Sequence, residues 1–275
     1  GDVGIFTNAE HPANMDEMEG RSADGDLLWS VGDEGDGTYS SMASCASDAP
    51  VVIAGGPSVW NCEPVSPMFD AIILGDGEDA IVEVCACVRD CRARGLARRE
   101  LLLELSRIPG VYVPSLYDVV VDEDSTRWGY AVPKPGSGAP QVVTKRCVAD
   151  FAATDPLPQT IVPYMGIVQD RLAVEVLRGC ARGCRFCQAG MTYRPVRERP
   201  RAQVVEAAER GLAITGYDEV SLTSLSTTDH SGCAAILHQL NADLAGSGVR
   251  VSIPSQRLDS FGVEMAAEVG GARRG

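Results

Sequence analysis

The pattern of apolar positions changes character near residue 50. Before it, apolar residues are scattered among Asp, Glu, Gly and Ser with neither a two-residue nor a helical period, and runs such as Gly20-Arg-Ser-Ala-Asp-Gly-Asp26 and Gly32-Asp-Glu-Gly-Asp-Gly37 read as loop or disorder. From residue 51, short apolar runs appear, each closed by glycine: Val51-Val-Ile-Ala54 before Gly55-Gly-Pro57, and Ala71-Ile-Ile-Leu74 before Gly75-Asp-Gly-Glu78. These predict short buried strands. Asp79 to Arg94 carries Ile81, Val84, Cys85, Val88 and Cys91 at helical spacing. That predicts an amphipathic helix with Cys85 and Cys91 in its core stripe and Cys87 off it. Leu101 to Ser106 predicts a further helix, and Asp118 to Val132 a β-hairpin across Asp122-Glu-Asp-Ser. Pro133-Lys-Pro-Gly-Ser-Gly-Ala-Pro140 and Asp155-Pro-Leu-Pro158 read as linkers.

From residue 171 the pattern alternates. A strand over Leu172–Leu177 is followed by helix at about Arg201–Thr215, strand at Glu219–Leu222, helix at about Cys233–Leu244 and strand at Arg250–Ile253. Alternating β and α elements predict parallel strands joined by right-handed crossovers. The earlier strand–glycine-turn–helix units predict a doubly wound α/β sheet with ligands at the carboxyl ends of its strands. The expected division is an acidic, disordered segment over 1–48, an α/β domain with a hairpin over 49–132, a linker over 133–170, and a second α/β unit over 171–275.

The strongest chemical signal follows the strand at Leu172–Leu177. Cys180, Cys184 and Cys187 stand at C-x3-C-x2-C within Arg178-Gly-Cys-Ala-Arg-Gly-Cys-Arg-Phe-Cys-Gln-Ala-Gly190. A tight triad of thiols after a buried strand can hold three irons of a [4Fe–4S] cube and leave the fourth open to a substrate or cofactor. Gly179, Gly183 and Gly190 let the backbone turn around such a group. Phe186 offers a flat face for an adenine. The alternative is a non-catalytic module, with the triad structural or part of a zinc site. Zinc would call for a fourth Cys or His close by, and His230 is the closest histidine in sequence.

Composition narrows the setting. The chain has 275 residues, 45 % apolar, enough for one large domain or two smaller ones. No apolar run approaches the roughly 18 residues of a membrane span, and no signal-peptide pattern opens the chain. Ten cysteines without a secretory signal point to the reducing cytoplasm. The net charge of −14 is uneven: residues 1–50 hold eleven acids and one base, whereas residues 178–201 hold seven arginines and one acid. The basic stretch predicts an anionic partner beside the triad, RNA or an acidic protein. The chain starts without Met and ends at Gly270-Gly-Ala-Arg-Arg-Gly275, so it is expected to be a piece of a longer protein.

At the C-x3-C-x-aromatic-C motif the chain resembles the radical S-adenosylmethionine (SAM) enzymes. Pro109-Gly-Val-Tyr-Val-Pro114, Glu175-Val-Leu-Arg-Gly-Cys180, Cys187-Gln-Ala-Gly190, Tyr193-Arg-Pro195 and Ser221-Leu-Thr-Ser-Leu-Ser226 make it similar to members of that superfamily that carry a cobalamin-type domain. The resemblance spans about residues 51–275 and implies the remnant of a doubly wound cobalamin-type domain followed by the first half of a partial βα barrel. It implies that Cys180, Cys184 and Cys187 ligate a [4Fe–4S] cluster whose open iron is chelated by SAM. Reduction of the cluster, by a flavodoxin- or ferredoxin-type donor, would cleave SAM to methionine and a 5′-deoxyadenosyl radical. Methyl or methylthio transfer to RNA or protein is among the reactions implied. By the same resemblance Phe186 packs on the adenine, Thr223, Ser224 and Ser226 follow the second strand where the SAM amino group is held, and Ser255 and Arg257 follow the third, with Arg257 facing the SAM carboxylate. The family's Gly-Gly-Glu is not present at that second strand. Nor is the cobalt-ligating D-x-H-x-x-G, since His11 is followed by Pro-Ala-Asn-Met. Cobalamin would then sit base-off without a protein ligand, or not bind.

Overall fold

The computed structural model describes residues 17–21, 27–32, 50–121, 129–156, 161–257 and 259–271. The chain divides into two compact units, one ending at Val148 and one beginning at Ala149.

In the first unit β1 (Glu17–Arg21) pairs antiparallel with β2 (Leu27–Gly32). This corrects the expectation of irregular chain for those residues; the rest of 1–48 lies outside the described residues. The central sheet is short: β3 (Ile53–Ala54) lies parallel to β4 (Ala71–Ile73), and β4 lies antiparallel to β5 (Val111–Tyr112). The parallel pairing expected of a doubly wound sheet is found between β3 and β4 and not between β4 and β5. Between β4 and β5 the chain runs through α1 (Glu78–Ala93) and α2 (Arg98–Ser106). Glu100 reaches back to the backbone N–H of Ala97 at 3.0 Å and closes the first turn of α2. Ile72, Val84, Leu105 and Val113 are fully buried in the shared core.

The stripe of α1 is rotated from its expected setting. Ala80, Val84 and Cys91 are buried and Cys87 packs against the core, while Ile81 and Cys85 are exposed. The Sγ atoms of Cys87 and Cys91 lie 3.9 Å apart, and burial, then the contact with Cys91, pushes the Cys87 thiol up to about 11. The hairpin is found as β6 (Tyr117–Val121) against β7 (Gly129–Pro133), in antiparallel register; its turn lies outside the described residues.

The stretch expected to begin a linker instead belongs to this unit. Arg146 donates its backbone N–H to Leu74 O at 2.7 Å and accepts from Asp76 at 3.0 Å. Val148 donates to Asp76 Oδ2 at 2.8 Å, and Tyr117 Oη to Pro140 O at 2.7 Å. Proline and glycine in 133–140 mark a chain without ladder hydrogen bonds, yet its neighbours are satisfied one by one. A Cβ on Gly75, at φ +104°, would stand 2.1 Å from Arg146 O. Glycine is needed there for the chain's own close approach.

In the second unit three strands form a parallel sheet in the order β12 (Arg250–Ser252), β11 (Glu219–Thr223), β8 (Leu172–Glu175). The crossovers are α4 (Arg201–Thr215) and α5 (Cys233–Asp243). Both helices and strands agree with the alternation read from the sequence. Pro200 precedes the first turn of α4, and Gly216, left-handed at φ 71°, ends it with its N–H on Leu212 O at 2.9 Å. Val174, Leu222 and Val251 meet Val204, Ala208, Ile236 and Leu237 in one core. Alternate residues, Glu219, Ser221 and Thr223 in β11, therefore turn to the opposite sheet face. The first strand breaks at Val176, and β9 (Leu177–Arg178) pairs antiparallel with β10 (Arg197–Glu198). This pair closes the loop that carries the three cysteines. The short α3 (Ala189–Thr192) lies within that loop, and α6 (Val263–Gly271) follows β12.

Candidate iron–sulfur and cofactor site

The loop between β9 and β10 is built to turn. Gly179 sits at φ +87°, where a Cβ would stand 2.5 Å from Tyr193 O and 2.6 Å from Pro195 O. Gly183 is left-handed at φ +66°. No side chain but hydrogen fits the first position, and the second costs a side chain strain. The three thiols are free and half-buried. Cys187 donates its backbone N–H to Cys184 O at 3.0 Å, and its Sγ accepts from Gly190 N–H at 3.3 Å. Arg194 Nε donates to Gly190 O at 3.0 Å and to Cys180 O at 3.4 Å, tying the two ends of the loop together.

Among the described residues no three His, Cys, Asp or Glu side chains converge on a single ion. A cube gives each thiolate its own iron, so three ligands on one turning loop need not meet at a point. The donor set, three thiols and no imidazole on the loop, suits iron–sulfur chemistry.

A cleft of about 460 Å³ opens beside Cys180, lined among others by Arg182, Ser226, Thr228, Asp229 and His230. That is the size of a cofactor pocket. Arg182, on the cysteine loop, donates Nε to Asp229 Oδ2 at 2.8 Å and closes a second contact from Nη2 to Oδ1. This fork holds the Asp229 carboxyl below the usual aspartate range and the Arg182 guanidinium above its own. His230 accepts from Gly232 N–H at Nδ1 and faces Arg199 O from Nε2, both at 2.9 Å, which selects the Nε2–H tautomer.

The residues expected from the sequence all fall in the second unit. Phe186 stands almost wholly in solvent, 91 % exposed. Thr223 ends β11, and its carbonyl accepts from Val176 N–H at 3.0 Å. The Ser224 hydroxyl bonds Thr227 Oγ1 at 2.9 Å and accepts from Ser226 N–H at 3.1 Å, so it shapes the turn. Ser226 is buried and lines the cleft. Ser255 accepts from Thr227 N–H at 2.8 Å through its carbonyl, joining the loops after β11 and β12. Arg257 grips Asp259 with Nε and Nη2 at 2.9 and 3.0 Å and turns Nη1 to Cys184 Sγ at 3.6 Å.

The basic run is not one open patch. Arg199 is 2 % exposed, with its guanidinium on the carbonyls of Glu175, Phe151 and Thr154. Arg178 forms a fork with Glu175. Arg185 and Arg201 are exposed. Sequence reasoning missed Thr228, Asp229 and Ser260 in the cleft and weighed His230 only against zinc; the signal for Thr228, Asp229 and His230 was the polar run Ser226-Thr-Thr-Asp-His-Ser231 after the second strand.

With the geometry in place, the comparisons decide the family. A family model described as the radical SAM superfamily matches residues 174–273, and one described as the N-terminal part of radical SAM proteins matches residues 41–114. The chain belongs to the radical SAM superfamily. The superfamily assignment implies a [4Fe–4S] cluster and SAM as cofactors. An uncharacterized protein of Methanocaldococcus jannaschii is 25 % identical over 214 residues, 77 % of this chain and 38 % of its own length. The chain thus spans about two-fifths of the curated relative it matches. Among solved structures it is similar to TsrM of Kitasatospora setae, a radical SAM methyltransferase determined with cobalamin and a [4Fe–4S] cluster. The TM-score is 0.46 at 16 % identity, covering 80 % of this chain and 40 % of that one. A second TsrM structure, with tryptophan substrate and a SAM analogue, gives 0.44 at the same identity and coverage. Among the described residues no helix is long and apolar enough to cross a membrane.

Proposed function

We propose that this radical SAM chain carries the cluster-binding and part of the SAM-binding machinery of an enzyme that cleaves SAM reductively to a 5′-deoxyadenosyl radical. The observation that carries the reading is the loop itself. Gly179 folds it against Tyr193 and Pro195, and it presents three free, half-buried thiols, of which Cys180 lines a cleft of about 460 Å³.

In this reading Cys180, Cys184 and Cys187 hold the cluster as thiolates. The bound cluster and SAM supply the radical chemistry. Phe186 stands exposed beside Cys187 to pack on an adenine. Ser226, Thr228 and Ser260 line the cleft with small polar side chains, the last two joined hydroxyl to hydroxyl at 2.7 Å, that suit the amino and carboxylate groups of SAM. Arg182 and Asp229 close one wall and hold the cysteine loop to the turn after β11. For cobalamin the fit is one-sided. Gly56 is open, with nothing within 4 Å of a Cβ, but the turn at Gly75 is closed by Arg146, and we derive no step through a corrin. The exposed Arg185 and Arg201 suit an RNA or acidic-protein substrate of methyl or methylthio transfer, with a flavodoxin- or ferredoxin-type donor in the cytoplasm.

The second reading is a zinc or structural iron–sulfur module. Its zinc form is disfavoured by thiols that, among the described residues, do not converge on one ion. The test is anaerobic reconstitution with iron and sulfide. About four irons per chain and broad visible absorption are expected, lost in Cys184→Ala. A colourless protein holding one tight zinc would defeat the proposal. Release of 5′-deoxyadenosine from SAM and dithionite tests the reaction.

A further inference from the structure

The geometry points to Arg257 as a positioning residue that sets the reduction potential of the cluster through Cys184. This inference rests on the cluster reading above. The guanidinium is held from one side: Nε and Nη2 donate to the two carboxylate oxygens of Asp259 at 2.9 and 3.0 Å. Its backbone N–H is held as well, on Thr228 Oγ1 at 3.3 Å. Two-point pairing with Asp259 fixes the plane of the fork, and the remaining Nη1 then faces Cys184 Sγ at 3.6 Å. A planar fork gripped at one edge aims its other edge, which an ammonium cannot do. Asp259 also stands 4.0 Å from Arg182, which is bound to Asp229. Two arginines and two aspartates thus link the cysteine loop to the turns after β11 and β12.

A donor aimed at a cluster-ligating sulfur, with positive charge behind it, stabilises the more negative, reduced cluster. Hydrogen bonds to the sulfurs are among the levers that move iron–sulfur potentials. The Arg257 side chain is 34 % exposed, so solvent screens part of its charge, and Asp259 offsets more of it. The aimed N–H is the larger share of the effect. Arg257 thus acts on Cys184 in place of the SAM-carboxylate role that the family resemblance implied.

The experiment is an EPR-monitored redox titration of the reconstituted 275-residue chain and its variants, without SAM. Arg257→Met keeps the stem and removes donor and charge, and its cluster should titrate at a more negative potential than wild type. Arg257→Lys keeps the charge without the fork, and its potential should fall between the two. In protein labelled with 15N-arginine, the reduced wild-type cluster should show a nitrogen hyperfine coupling that Arg257→Met lacks. A Met variant that loads four irons and titrates with wild type overturns the proposal. Should that variant not load, Arg257→Lys decides: a negative shift supports the role and an unchanged potential overturns it. Failure of the cluster reading is separate and visible earlier, as wild-type protein that takes up no iron.

Discussion

The guanidinium carbon of Arg199 lies 3.9 Å from the centroid of the Phe151 ring, and its Nη1 donates to the carbonyl of the same residue at 2.9 Å. Arg178 and Arg197 approach the ring at 4.8 and 5.7 Å. One buried phenyl ring therefore takes up three of the arginines that make the run over 178–201 look basic, and pins the segment before β8 onto β9 and β10.

Removing that guanidinium should cost much of the second unit's stability. Arg199→Gln strands several of the carbonyls of Glu175, Phe151 and Thr154, each unsatisfied group costing about 1–3 kcal/mol. We expect a loss of about 3 kcal/mol or more, read by urea unfolding of the apo-protein. Arg201→Gln, at an exposed position, should stay within about 0.5 kcal/mol. Equal effects at the two positions would show that Arg199 is not buried as described.

Gly179 should tolerate no replacement. Gly179→Ala meets Tyr193 O and Pro195 O at distances real Cβ atoms do not adopt, and φ +87° adds strain. Gly216→Ala places a Cβ in open space at a similar φ and should cost only about 1 kcal/mol. The expected contrast is in iron content: lost in Gly179→Ala, kept in Gly216→Ala. Full iron loading of Gly179→Ala would remove the loop geometry from the argument.

Acid should loosen the cysteine loop. The hydrogen bond from Arg182, opposed by partial burial, lowers the folded pKa of Asp229 below its unfolded value. A lowered carboxylate pKa contributes stability above the unfolded value, about 3.9, and the contribution is lost as pH falls through the folded value. Asp229→Asn should therefore be less stable than wild type at neutral pH, and the difference should shrink below about pH 4. Melting temperatures of the apo-proteins across pH 3–7 check the sign. A difference that grows toward acid would contradict the pairing.

The sequence carried the second unit further than the first. β8, β11, β12, α4 and α5 alternate as strands and helices whose faces are set by one sheet, and the apolar period reports that directly. The pair β9–β10 is two residues long and has no period to read. Arg199 looked like surface because its partners Phe151 and Thr154 stand 48 and 45 residues earlier, and nothing local marks them. Cys85 and Cys87 exchanged places because the buried face of α1 is chosen by α2 and the sheet it packs on, so a stripe drawn from α1 alone has the wrong phase. In the site, the cysteines were legible as a spacing, whereas the links from Arg182 to Asp229 and from Arg257 to Cys184 join residues far apart in the chain.

Phe186 separates a binding role from a structural one. Its ring is 91 % exposed and contributes little burial to the core. Phe186→Ala should leave apo-protein stability within about 0.5 kcal/mol of wild type and leave four irons in place, because neither Cys184 nor Cys187 depends on the ring. If the ring stacks on the adenine of SAM, its loss removes about 1–3 kcal/mol of base–aromatic contact, or roughly 5- to 150-fold in SAM affinity. Equilibrium binding of SAM to the reconstituted oxidised protein reads this without turnover. Phe186→Tyr keeps the face and should bind as wild type. An alanine variant that binds SAM with unchanged affinity would take Phe186 out of the cofactor site, and the cleft beside Cys180 would then have to hold the adenine by other groups.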